Sequence, residues 1–113
     1  MKAQGSSRQS ARPMEVWTAD LPFEGGGGRK KRPVVILRRD GDSYSVMMCT
    51  THPHEQNELY MPADQDYAGL ERATYVRTDK VFRIQAKSLL MRLGELSDRD
   101  ADEVRERYRG LKR

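Results

Sequence analysis

The 113-residue chain has one cysteine, Cys49, so no internal disulfide can form and a reducing, cytoplasmic setting is expected. It has no apolar run near the roughly 20 residues that a membrane-spanning helix needs, so no membrane partner is expected. The opening MKAQGSSRQSARP lacks the apolar centre of a secretory signal. Apolar residues make up only 36% of the chain and charged residues 34%, which suits one domain with a small core. Familiar catalytic signatures are missing as well. There is no Gly-x-Ser-x-Gly, no His-Glu-x-x-His and no Cys-x-x-Cys. The stretch Gly25 to Arg32 holds no Gly-Lys-Ser/Thr and leads into a strand, which argues against a nucleotide-binding loop. No cofactor and no metal are expected, since His52 and His54 have no obvious third ligand.

Positive charge is present, and it is unevenly placed. The net charge is +4, and residues 29–39 carry Arg29, Lys30, Lys31, Arg32, Arg38 and Arg39 with no acid among them. From Glu95 to Arg113, by contrast, six acids balance six bases. A local cationic run suits a polyanion, because neutralising phosphates releases their counterions. A solvated loop kept soluble by its charges fits the composition equally well.

Residues 1–13 are polar, with three bases and no acid, and read as a flexible arm before a single domain spanning 14–113. Glu15–Asp20 has strand-forming residues and ends at Leu21-Pro22. Phe23 to Lys31, with its glycine run 25–28, is expected to be a mobile loop. Pro33–Leu37 is a short β-branched run, the mark of a strand covered on both faces. Asp40-Gly41-Asp42 predicts a hairpin turn into a strand over 44–51. Shorter strands are predicted at Glu58–Met61, Ala73–Arg77 and Val81–Ile84. Ser97 is a good N-cap for a final helix whose stripe is Ala101, Val104, Tyr108 and Leu111, with Gly110 as its C-terminal cap and Glu103 pairing with Arg107. The sum is a small antiparallel barrel, mainly β, of about five to seven strands closed by a C-terminal helix.

Two places can carry chemistry. Arg32 adjoins Pro33 where the basic loop enters the buried strand, and a guanidinium fixed there can grip a phosphate through two parallel hydrogen bonds. Residue type alone favours a plain surface arginine. Thr50, Thr51, His52 and His54 cluster at a strand end, where hydroxyls can donate to phosphate oxygens and imidazoles can move protons near neutral pH. Ordinary β-propensity explains the two threonines as well. Cys49 reads as a small core residue.

The order of these segments resembles the MazF/PemK toxins. Glu15-Val16-Trp17-Thr18-Ala19-Asp20-Leu21 is similar to that family's opening strand, and Arg32-Pro33-Val34-Val35-Ile36-Leu37 to its Arg-Pro strand. Cys49-Thr50-Thr51 resembles its threonine strand end, Val76-Arg77-Thr78-Asp79-Lys80 its late strand and turn, and Leu93-Gly94-Glu95-Leu96-Ser97 its closing segment. The resemblance covers about residues 14–111 and implies an SH3-like barrel that forms a homodimer. It further implies metal-independent cleavage of single-stranded RNA by attack of the ribose 2′-hydroxyl on the neighbouring phosphate, restrained by an antitoxin with an acidic flexible tail.

By residue-for-residue match, Arg32 and Thr50 take the places of the family's active-site arginine and threonine. An arginine, whose pKa exceeds about 12, is a poor base in ordinary surroundings. His52 or His54 is therefore expected to assist proton transfer. Arg29, Lys30, Lys31, Thr51, His54, Tyr75 and Arg77 are the expected RNA contacts. Two departures bear on base recognition. The loop before Arg32 is Glu24-Gly25-Gly26-Gly27-Gly28 where the family commonly has a Ser-Glu-Gln-like stretch, and Tyr75 stands where a family glutamine is expected. Tyr75 reads first as a core tyrosine, with base stacking as the alternative. A poison of DNA gyrase of the related CcdB type and a non-cleaving RNA-binding barrel are the competing functions. The first needs no Arg32–Thr50 site. The second predicts salt-sensitive binding without cuts.

Overall fold

The computed structural model describes residues 10–22, 27–53, 58–71 and 73–111. Seven strands precede one helix: β1 (Glu15–Pro22), β2 (Arg29–Asp40), β3 (Ser43–Thr50), β4 (Leu59–Tyr60), β5 (Tyr75–Arg77), β6 (Phe82–Gln85), β7 (Leu89–Glu95) and α1 (Asp98–Leu111), with a short 3₁₀ turn at Ala86–Ser88. All strand pairs are antiparallel. No helix among the described residues is long and apolar enough to cross a membrane.

The strands pair in the order β4-β5-β3-β2-β1-β7, and β6 joins the first half of β3. The expected antiparallel sheet with a C-terminal helix is therefore found, but the hydrogen-bonded ladder does not close into a barrel. One strand explains the shape. β3 gives Ser43–Val46 to β6 and then Cys49–Thr50 to β5, so its two halves face different neighbours and the sheet curls about it.

Both faces of the sheet are covered, as the run of Val34, Val35, Ile36 and Leu37 requires. Val35, Leu37, Met47, Cys49 and Val76 pack with Ala101 and Val104 of α1. Val34, Ile36, Tyr44 and Val46 pack on the opposite face with Trp17, Ala19, Leu21 and Leu89. The chain is already tied down upstream of Met14. Ala11 is buried on this second face, and its N–H donates to the Tyr44 hydroxyl at 3.0 Å. Arg29, Lys30 and Lys31, expected in the mobile loop, instead open β2, because they ladder with Pro22, Leu21 and Asp20 of β1. Residues 1–9 and 23–26 lie outside the described residues.

The β2–β3 hairpin forms at Gly41, whose φ of 62° suits glycine in a two-residue turn. Ser97 caps α1, and Glu103 meets Arg107 at 2.7 Å. Gly110 does not end the helix, which runs on through it to Leu111, and Leu111 is exposed, so the apolar stripe stops at Tyr108. The seventh strand, β7, breaks the alternation that marks a strand. Its register against β1 slips twice, between Val16 and Trp17 and between Thr18 and Ala19, which leaves Leu90 and Met91 exposed at the sheet's edge.

Candidate active site and nucleic-acid interface

β1 holds one flank of the site. Ala19 pairs with Arg32, and Thr18 with Pro33. On the other flank the β2–β3 ladder runs from Asp40↔Ser43 to Val34↔Met48 and stops one residue short of Pro33, which has no N–H to give. Continued by two residues, the same register sets Arg32 opposite Thr50. Thr50 in turn pairs directly with Tyr75 of β5. Thr50 and Tyr75 thus form a paired row, and the extended register would bring Arg32 to its β2 end, two residues past the last ladder pair, Val34↔Met48. Side-chain alternation puts Arg32 on the face of Val34 and Ile36, and Thr50 on the face of Val46 and Met48. That is one and the same face.

The polar state of the row is unusual for this protein. Arg32 is half-buried, yet it has no carboxylate and no hydrogen-bond partner among the described residues. Thr50 Oγ1 accepts the His52 N–H at 3.0 Å, which fills a lone pair and leaves its hydrogen to donate. That hydrogen has only a long approach, 3.4 Å, to the His52 carbonyl. Thr51 Oγ1 lies 3.2 Å from Nδ1 of the exposed His52 imidazole. His54 lies outside the described residues.

The remaining expected contacts divide into two groups. Lys30 and Lys31 are exposed and without a carboxylate partner among the described residues; Lys30 shares the face of Arg32, and Lys31 points the other way, opposite Asp20. Arg29 and Arg77 are engaged. Arg29 Nε meets Asp20 at 3.2 Å while its Nη2 donates to the Asp20 carbonyl, so it latches the base of the loop. Arg77 meets Asp79 at 3.2 Å, with both side chains mostly covered. Burial pushes the Cys49 thiol up to about 12, so it is an inert core side chain. Among the described residues no three His, Cys, Asp or Glu side chains are grouped so as to hold a metal ion.

Two residues that sequence reasoning missed brace the segment between β4 and β5, one against β5 and one against α1. Gln65 clamps the segment before β5: its Nε2 donates to the carbonyls of Pro62 and Thr74, and its Oε1 accepts the Thr74 N–H. Thr74, next to Tyr75, is buried by this clamp. Asp100 is fully buried at the start of α1 and accepts from the Tyr60 hydroxyl at 2.6 Å and from the N–H groups of Ala63 and Asp64. Burial raises its carboxyl, but the bonds from Tyr60, Ala63, Asp64 and Ser97 outweigh that and hold it below the ordinary range. The Ser97-x-x-Asp100 spacing resembles a capping box and was the available signal. Nothing in the sequence marks Gln65.

The fold is that of a small open antiparallel sheet with a C-terminal helix, and at its rim Lys30, Lys31 and Arg32 have no carboxylate partner among the described residues. Residues 12–110 match the family described as PemK-like, MazF-like toxin of type II toxin-antitoxin system. The chain belongs to that family. Solved structures share the fold at low identity. One described as an endoribonuclease from Mycobacterial species aligns with TM-score 0.69 and 15% identity over 91% of each chain. The MazE-MazF structure from Deinococcus radiodurans aligns with TM-score 0.68 and 17% identity, over 90% of this chain and 95% of that one. Mycobacterium tuberculosis toxin MazF-mt6 gives TM-score 0.63 and 21% identity, over 85% and 95%. No curated protein matches the chain.

Proposed function

We propose that this toxin is a metal-independent endoribonuclease that cuts single-stranded RNA and so inhibits translation and growth. The observation that carries the proposal is Arg32, a half-buried guanidinium with no internal partner among the described residues, two residues past the last β2–β3 ladder pair on the same sheet face as Thr50. Charge that builds on the phosphoryl oxygens in the transition state can be met by two guanidinium N–H groups and one hydroxyl, and loss of one such donor typically costs about 10²–10³ in rate. The nucleophile is the substrate's own ribose 2′-hydroxyl, already adjacent to phosphorus, so positioning does much of the work. Its oxygen attacks phosphorus, the bond to the 5′-oxygen breaks, and a 2′,3′-cyclic phosphate and a 5′-hydroxyl remain.

His52 accepts the 2′-hydroxyl proton through Nε2, with Nδ1 beside the Thr51 hydroxyl, and the departing 5′-oxygen takes up a proton from water. His54 shares or replaces this role. A cleavage rate that is flat across about pH 5.5–8, and unchanged in a His52→Ala/His54→Ala double variant, would remove the histidines from the mechanism. Lys30, Lys31 and Thr51 extend the phosphate contacts, and Arg29 and Arg77 join them where RNA competes with Asp20 and Asp79.

The partner is a cognate antitoxin with an acidic flexible tail facing Arg29 to Arg32; the Deinococcus relative was solved with MazE, and a Mycobacterial endoribonuclease with its cognate antitoxin. The working form is a homodimer, favoured by exposed Leu90 and Met91 on the edge strand. Incubation of wild type and Arg32→Ala with a long unstructured RNA, followed by sequencing of the ends, tests the whole reading. Cuts at a short motif with cyclic phosphate ends, lost in Arg32→Ala, are expected. Intact RNA together with inhibited DNA supercoiling would replace it with the gyrase poison, and salt-sensitive binding without cuts with the RNA-binding barrel.

A further inference from the structure

Five tyrosines are present, and four of them have work inside the fold. Tyr44 is fully buried and accepts the Ala11 N–H. Tyr60 donates to Asp100 and packs against the helix-side core, where Tyr108 packs as well. Tyr67 donates to Glu95. Tyr75 is the exception. It is half-buried, belongs to neither core cluster, and has no hydrogen bond or ring contact among the described residues. The core reading of this tyrosine is therefore not what the structure shows.

Its mounting is nonetheless rigid. The backbone of Tyr75 is laddered to Thr50, and Thr74 before it is clamped by Gln65 on both its N–H and its carbonyl. The β4–β5 ladder covers only Val76 and Arg77, so it stops short of Tyr75. Arg77, which shares the face of Tyr75 two residues on, is held by Asp79. A half-buried aromatic ring on a well-anchored backbone, with no internal partner among the described residues and one strand away from the proposed phosphate site, is what a nucleobase needs to stack on.

We propose that Tyr75 is the specificity-determining platform of the site, on which the nucleobase adjoining the scissile phosphate stacks while Arg32 and Thr50 hold that phosphate. The inference rests on the endoribonuclease reading above. It accounts for the restriction to single strands, because a base must leave its helical stack to reach the ring. It also sets the chemical class of selection: the platform reads the area of the base's π-face, so purines gain over pyrimidines, and the hydroxyl of the tyrosine is dispensable.

The test uses the full chain and short RNAs carrying the cleavage motif found for wild type, with an intact base or an abasic ribonucleotide on either side of the scissile phosphate. Tyr75→Phe should keep kcat/KM within about twofold. Tyr75→Ala should lose roughly 5- to 150-fold on intact RNA, the range for one aromatic–base stack. An abasic site at the stacked position should cost wild type a similar factor and cost Tyr75→Ala nothing further. Equal abasic penalties in the two proteins, or undiminished cleavage by Tyr75→Ala, would overturn the platform. Loss of activity in Tyr75→Phe with the fold intact would move the role from ring to hydroxyl and also overturn it. Wild type that leaves every RNA uncut would instead sink the nuclease reading beneath it.

Discussion

The helix and the strand-end rim of this protein treat positive charge in opposite ways. On α1 all four arginines have carboxylate partners: Arg99 with Asp64, Arg105 with Asp102, Arg107 with Glu103 and Arg109 with Glu106. At the rim Lys30, Lys31 and Arg32 have none among the described residues. A count of bases alone cannot separate the two regions, since both are rich in them. Saturation does. A guanidinium already matched by a carboxylate must lose that partner before it can bind a phosphate, whereas Arg32 needs no exchange. The same contrast holds for hydroxyls and rings, with Tyr60 engaged by Asp100 and Tyr75 engaged by none of the described residues.

Substitutions can break this contrast, beginning with the largest effect. Arg32→Ala should lower RNA cleavage by about 10²–10³ or more while moving stability by no more than about 0.5 kcal/mol, because no internal bond is lost. Single-turnover cleavage and urea unfolding report the two quantities separately. Asp100→Ala should do the reverse. It strands the N–H groups of Ala63 and Asp64 and the Tyr60 hydroxyl, for a loss of about 2–4 kcal/mol, with cleavage per folded molecule kept.

The pH dependence of stability sharpens the same division. Burial raises the carboxyls of Asp100 and Glu15, yet hydrogen bonds hold both below the ordinary range; for Glu15 these come from the Arg12 N–H, the Trp17 indole and Arg92. A group lowered in the folded state adds stability that is present above its unfolded value, about 4, and is lost as pH falls through the folded value. Thermal melting should therefore be steady from pH 7 to about 5 and decline below, and Asp100→Ala should flatten part of that acid limb.

Gly94→Ala should cost about 1–3 kcal/mol, since a Cβ there would sit 2.7 Å from the carbonyl carbon of Ala68 and push the loop off β7. At the small end, Arg105→Ala removes an exposed pair with Asp102 and should change unfolding by less than about 0.5 kcal/mol.

Much of this was readable in the residues. Pro33–Leu37 declared a strand buried on both faces, Asp40-Gly41-Asp42 a hairpin, and Ser97 a helix start, because each rests on local propensity or backbone geometry that neighbours rarely override. The strand β7 was not readable, since two slips against β1 place Leu90 and Met91 outward and erase its period. Closure of the barrel was expected and is not made, because hydrogen bonding between distant strands leaves no local trace. Among the site residues, Arg32 and Thr50 were legible through their neighbours Pro33 and Thr51. The commitments of Arg29 to Asp20 and of Arg77 to Asp79 depend on which side chains meet in space. So does the freedom of Tyr75.

The central claim is that Arg32 and Thr50 act together on one scissile phosphodiester, and a double-variant cycle tests it most directly. Single-turnover cleavage of one RNA would be measured for wild type, Arg32→Ala, Thr50→Val and the double variant. Two donors sharing one phosphate predict strong coupling, with the double variant losing much less than the product of the two single losses. Losses that simply multiply, or a Thr50→Val protein that cuts as fast as wild type, would contradict the account.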